Sequence, residues 1–352
     1  MSSQPDVYTS SPTWADMLEN GAAKGLPVTF DKSVPLQWQK NRQDRANAEE
    51  AWSKANPPSK FGYERVEQKV AMRDGAEISV MVYRPQNSAG KRLPLMFVTH
   101  GGGWYQGSHV IEEIFQMRAV MNHFQIVIVA PNFRLSPEHP FPGGLNDCWD
   151  TFLWTLRNDD ALSFDRKNII LAASSGGGAL AAVLGIRAGN AAAGDDLGSE
   201  EVRQAGFGSK TVVKGVFLNV PGLCHPDFLP KEYPATSYAE AHSGTTVFTG
   251  EEMYLIWKLY EDPANPKCGA DPDMSPLLAD LRNFPPARIY VAGQDPLRDE
   301  ALAFGKKLKE SSRDVEVYFY PGVPHVFAMF DDLKETAVFW DDVGKGLGSL
   351  LK

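Results

Sequence analysis

Ile169-Ile170-Leu171-Ala172-Ala173-Ser174-Ser175-Gly176-Gly177-Gly178-Ala179-Leu180 decides how this chain is read. An uncharged apolar run of strand length meets an alanine-rich helical run through two serines and three glycines. A buried strand that turns straight into a helix through a serine exposes the hydroxyl at the strand's carboxyl end. The neighbours must be small, because strand and helix approach closely there. Both Ser174 and Ser175 satisfy the spacing A-x-S-x-G, in which the usual first residue is glycine. Taken alone, a glycine-rich helix cap or a phosphate cradle would also fit. The lysine of a phosphate-binding P-loop and the GxGxxG fingerprint are both missing from the segment.

Comparable apolar runs lie at Leu95–Thr99, Ile126–Ala130, Val212–Val220, Arg288–Ala292 and Val315–Tyr320. Runs without polar alternation suit strands covered on both faces, which means a mainly parallel sheet. Val66–Met72 and Ile78–Tyr83 alternate apolar and polar residues around an Asp74-Gly75 turn, as half-buried strands do. Helical stretches separate the runs, among them Asp147–Arg157, Ala179–Ala188 and Asp299–Lys309. About eight strands alternating with helices through right-handed crossovers predict an α/β fold, with helices on both faces of one sheet.

The rhythm breaks in three places. Before the first strand, Trp14–Asn20 and Leu36–Asn56 read as helices, the second stopped by Pro57-Pro58. Gly189–Lys210, rich in Gly, Ala and Asp, is expected to be an exposed loop. Gly222–Pro286 is far longer than a strand-to-helix connection needs and holds an amphipathic run, Thr249–Tyr260. The expected organisation is a bilobed one. Residues 61–221 and 287–352 form the α/β domain, 222–286 form a helical cap over its carboxyl edge, and helices within 1–60 contribute to that cap.

Three further motifs carry chemistry. His100-Gly101-Gly102-Gly103-Trp104 follows the Leu95–Thr99 run directly. Consecutive glycines free the backbone to aim N–H groups inward, as an acyl-transfer transition state requires when charge develops on the carbonyl oxygen. Asp295, in Gly293-Gln294-Asp295-Pro296-Leu297-Arg298-Asp299, follows the seventh apparent strand and could orient a histidine. His325, in Pro321-Gly322-Val323-Pro324-His325, follows the last strand, and an imidazole titrates close to neutral pH. Serine, then aspartate, then histidine, each just past a strand's carboxyl end, is the chain order of a hydrolase triad.

With these motifs the chain resembles the hormone-sensitive-lipase-like (family IV) carboxylesterases of the α/β-hydrolase superfamily over roughly residues 75–340. Matching segments are HGGGW at His100–Trp104, Phe133–Pro142, the elbow, Asp295–Glu300 and His325–Phe327. Set against the family elbow G-D-S-A-G-G-N-L-A, the nucleophile falls on Ser175. Ala173, Ser174, Gly176 and Ala179 then replace family Gly, Asp, Ala and Asn. The resemblance implies an eight-stranded, mainly parallel α/β-hydrolase with a Ser175–His325–Asp295 triad. It implies oxyanion donors at Gly102, Gly103 and Gly176, and short- to medium-chain acyl esters as substrates. A lactone, an aryl formamide or an acyl acceptor would suit the same triad, and some relatives are non-catalytic receptors. Trp104, Tyr105 and Trp257 are expected to line an apolar substrate pocket, unless they pack the cap against the sheet domain. Glu138 and Arg134 are expected to be structural, Arg134 through a buried ion pair.

Composition narrows the rest. The 352 residues are 43% hydrophobic and 22% charged, ordinary for a globular protein. With 35 Lys and Arg against 44 Asp and Glu the net charge is −9, poor for nucleic acid or an anionic membrane surface. No run is long and apolar enough to span a bilayer, and the first residues lack a secretory pattern. Cys148, Cys224 and Cys268 match neither a disulfide framework nor a metal site, and the histidines show no ligand spacing. The expectation is a cytoplasmic enzyme without metal or cofactor. Its partner is a small ester, and the resemblance also admits a homodimer.

Overall fold

The computed structural model describes residues 9–21, 23–24, 37–195, 199–242 and 246–352. Its centre is an eight-stranded sheet in the order β1-β2-β4-β3-β5-β6-β7-β8. The strands are β1 (Tyr63–Ala71), β2 (Glu77–Pro85), β3 (Leu93–Thr99), β4 (Val127–Pro131), β5 (Phe164–Ser174), β6 (Val213–Asn219), β7 (Ala287–Ala292) and β8 (Val315–Tyr320). β1 pairs antiparallel with β2, and β2 with β4; every pairing from β4 through β3 to β8 is parallel.

The helices are α1 (Pro12–Glu19), α2 (Trp38–Ala55), α3 (His109–Glu112), α4 (Arg118–His123), α5 (Gly143–Arg157), α6 (Asp159–Leu162), α7 (Gly177–Ala193), α8 (Glu200–Ala205), α9 (Ser237–Glu240), α10 (Gly250–Tyr260), α11 (Arg298–Glu310) and α12 (Lys334–Leu350). The chain covers both faces of the sheet, so two apolar clusters form. One joins Leu95, Phe97, Leu171 and Ile289 to α5, α7 and α11; the other joins Met96, Ile128, Ile170 and Tyr290 to α1, α4 and α12. Every residue of β7 is buried, as the unbroken apolar run requires, while the edge strand β1 is largely exposed.

The Gly189–Lys210 stretch is not one exposed loop. Its alanines extend α7 to Ala193, Gly194 ends the helix with φ +85°, and α8 follows. Val202 and Ala205 of α8, with Phe207, are buried against the α5 side of the core. Leu36 of the second N-terminal stretch lies outside the described residues, and the helix there begins at Trp38.

Candidate active site

Strand β5 ends in a strained turn. Ser175 has φ +53°, in the left-handed region that side-chain-bearing residues rarely occupy. The conformation is held on both sides. Ser175 N–H donates to Asn219 O at 2.9 Å, and Ser175 O accepts from Gly178 N–H at 2.8 Å and Gly222 N–H at 3.0 Å. Gly177, opening α7, has no room for a side chain: a Cβ would lie 2.3 Å from Thr99 O and 2.5 Å from His100 O. The close packing of helix on strand thus fixes the turn, and the turn lifts Ser175 above the sheet.

The loops after β7 and β8 meet it there. His325 Nδ1–H donates to Asp295 Oδ2 at 2.7 Å, and Ser175 Oγ lies 2.9 Å from His325 Nε2. With Nδ1 carrying the proton, Nε2 is the acceptor for the serine hydroxyl. Asp295 is 1% exposed, and its other oxygen accepts the Leu297 N–H at 2.8 Å. Both loops are tied to the N-terminal segment: Ser11 N–H donates to Gly322 O, and Gln294 Nε2 to Ser10 Oγ.

Ser174, the other serine of the elbow, points elsewhere. Its hydroxyl donates to Glu112 Oε2 at 3.0 Å, and Glu112 Oε1 accepts the Gly101 N–H at 3.0 Å. Glu112 is fully buried. A carboxylate therefore does reach position 174, from α3 instead of from the elbow itself, and it links the elbow to the glycine loop. The only sequence signal for it is a Glu112-Glu113 pair inside an otherwise apolar helical run.

The glycine loop lies beside the serine. Gly102 has φ +111° and Gly103 φ +61°, and a Cβ on Gly102 would lie 2.1 Å from Gln106 O. Gly176 adjoins Gly103, since a Cβ there would be 3.2 Å from the Gly103 Cα. Among the described residues, the N–H groups of Gly102, Gly103 and Gly176 donate to no carbonyl. His100, at the head of the loop, is 1% exposed and stacks on Phe133 with centroids 4.1 Å apart. Burial pushes its pKa down to about 4, so it stays neutral.

Arg42 staples α2 to this loop. Its guanidinium donates to Tyr105 O at 2.7 Å and Ser136 O at 2.6 Å, and pairs with Glu138 at 2.9 Å. Arg134 pairs with the fully buried Asp147 at 2.6 Å and with Asp74 at 2.7 Å. Glu138 and Arg134 are thus both occupied in structural ion pairs.

A cavity of about 230 Å³ opens over Ser175 and His325. Its walls are Gly101–Gly103, Tyr105, Ile111, Phe115, Phe248 and Ile256, among others. Tyr105 is part of its wall; Trp104 and Trp257 are not. Both are buried, at 3% and 0% exposure. Trp104 stacks flat on Tyr260 at 4.4 Å and lies 4.4 Å from Trp257, so these rings fill the seam between the glycine loop and α10. Large flat side chains gain more from mutual burial there than from facing an open cleft. The three cysteines are free and buried. No described helix is long and apolar enough to cross a membrane.

Residues 96–329 match the alpha/beta hydrolase fold family. The chain belongs to the hormone-sensitive-lipase-like α/β-hydrolases. This α/β-hydrolase is 28% identical over 282 residues to the versiconal hemiacetal acetate esterase of Dothistroma septosporum, covering 78% of this chain and 79% of that protein. Vibralactone cyclase shares its architecture with a TM-score of 0.82 at 26% identity, over 99% of this chain and 97% of that one. An esterase of Pyrobaculum calidifontis matches with a TM-score of 0.73 at 28% identity, over 97% of this chain and 98% of its own.

Proposed function

We propose that this α/β-hydrolase is a serine carboxylic ester hydrolase acting on short- to medium-chain acyl esters. The observation that carries the reading is the buried relay from Ser175 Oγ through His325 to Asp295, at 2.9 and 2.7 Å, under an apolar cavity of about 230 Å³. Its family membership and the esterases among its relatives support the same reaction class.

In this mechanism Ser175 Oγ attacks the acyl carbon while His325 Nε2 takes the hydroxyl proton. Asp295 holds the imidazole in the Nδ1–H tautomer and stabilises its cationic form. The unengaged N–H groups of Gly102, Gly103 and Gly176 receive the tetrahedral oxyanion. His325 then protonates the leaving alcohol, and water, deprotonated by the same nitrogen, releases the acid. Residues 222–286 and α2 act as the cap: α10 contributes Met253 and Ile256 to the cavity wall, and α2 contributes Arg45. The cavity's apolar lining and modest volume favour short to medium chains over long ones.

The test is initial rates on p-nitrophenyl esters from acetate to palmitate, beside Ser175→Ala. Hydrolysis peaking at short or medium chains and abolished in the variant is the expected result. Cleavage that survives Ser175→Ala refutes the mechanism.

A second reading is intramolecular acyl transfer, favoured by the 0.82 TM-score to a cyclase. The same acyl-enzyme would then be opened by a hydroxyl of the substrate instead of water. Weak hydrolysis of simple esters with faster transfer to an alcohol would select it.

A further inference from the structure

The α2 face that meets the glycine loop carries Arg42, Arg45 and Glu49, at helical spacings of three and four. Two of them have partners. Arg42 is held by Tyr105 O, Ser136 O and Glu138, and Glu49 accepts the Ser108 hydroxyl at 2.6 Å. Arg45, between them, is half-buried and makes no hydrogen bond or ion pair with any described residue. Its side chain lines the same cavity as Ser175 and His325. Among the described residues of that lining, it carries the one permanent charge.

An arginine at a rim often lays its carbon stem on apolar neighbours and turns its head to water. Here the cavity wall around it is apolar, so the field of an unpaired guanidinium is weakly screened inside the cleft. The planar fork is also preshaped for a two-oxygen anion. Glu49, one turn along the same helix, accepts from the Ser108 hydroxyl; burial pushes it toward its neutral form, and the Ser108 hydroxyl and the Arg45 charge oppose that. Among the described residues no hydrogen bond or ion pair holds the Arg45 head, Glu49 acting on it only through its charge, and the chain as a whole is acidic, at −9.

Resting on the ester hydrolase reading, we propose that Arg45 is a specificity residue. The substrate is then an ester bearing a carboxylate, separated from the scissile bond by an apolar spacer. With the ester carbonyl at Ser175, the spacer lies along Phe115, Phe248 and Ile256, and the carboxylate meets the Arg45 guanidinium. The group excluded by this arrangement is a cation at the same end of the substrate.

The test compares two pairs of esters matched in length. On the acyl side these are the p-nitrophenyl monoester of adipate and p-nitrophenyl hexanoate. On the alcohol side they are the acetate esters of ε-hydroxyhexanoate and of hexanol. The wild type favours the carboxylate member of at least one pair by about tenfold in kcat/KM, a ratio that shrinks at high salt. Arg45→Gln brings that ratio to about one, Arg45→Lys retains part of it, and Arg45→Glu shifts preference toward an ammonium-ended ester. A wild-type ratio near one in both pairs overturns the proposal, as does a ratio that survives Arg45→Gln. If no ester of any kind is cleaved, the hydrolase reading is what fails. The Arg45 proposal is then decided by calorimetric titration of the whole chain with adipate. Binding lost in Arg45→Gln upholds it, and no binding overturns it.

Discussion

His100 gives the sharpest test of the site's electrostatics. Its Nδ1–H donates to Gly101 O at 2.7 Å, and its Nε2 is buried with no partner. A proton on Nε2 would be a buried donor with nothing to bond, which is why burial drives the pKa from 6.5 down to about 4. The unfolded chain takes up this proton near pH 6.5, whereas the folded chain resists it until about 4. The ring's contribution is therefore intact above 6.5 and is lost as pH falls toward 4. Between pH 7.5 and 5.0, proton linkage with those two pKa values amounts to about 2 kcal/mol. His100→Gln removes the titration. Urea unfolding of both proteins at the two pH values should show the stability gap between them narrowing by about 2 kcal/mol at the acid end. His109, also held near 4 by burial, is present in both proteins and cancels. A gap that stays constant or widens would mean the folded protein charges His100 freely, and the account of the glycine loop would fall.

Asp295→Asn should fold normally but lose about 10⁴-fold in kcat, because Asn can present its N–H to the ring and leave the wrong nitrogen protonated. Activity within tenfold of wild type would show that Asp295 does not set the tautomer. Glu112→Ala strips the acceptor from both Gly101 N–H and Ser174 O–H, two buried donors. Stability should fall by about 3 kcal/mol in urea unfolding, with Glu112→Gln intermediate. Wild-type stability in the alanine variant would mean that other groups satisfy both donors.

The architecture was legible because the chain repeats one device. Each apolar run of β3 to β7 is covered on both faces, so its composition alone marks it as an interior strand, and the order of Ser175, Asp295 and His325 follows from the strands they terminate. Side-chain direction was less legible. Ser174 and Ser175 fit one spacing equally, and the positive φ of Ser175, together with the carboxylate waiting at Ser174, separates them. Trp104 and Trp257 carry the same aromatic signature whether they face a ligand or each other; only the seam between the loop and α10 decides it. Arg45 has no usable pattern, and Glu112 shows only as one of a pair of acids in an apolar run. Their significance depends on which partners a distant part of the chain provides or withholds, and spacing along a helix does not encode that.

The stacked rings at that seam also tie one wall of the cavity to the loop beside it. Trp104 is covalently part of the glycine loop, yet its indole is clasped by Tyr260 and Trp257 of α10, whose end is pinned by Phe141 N–H donating to Tyr260 O. Through these rings α10 and the backbone of the glycine loop are held as one packed unit. The same two indoles, 4.4 Å apart, make tryptophan emission a reporter of how tightly that seam is packed.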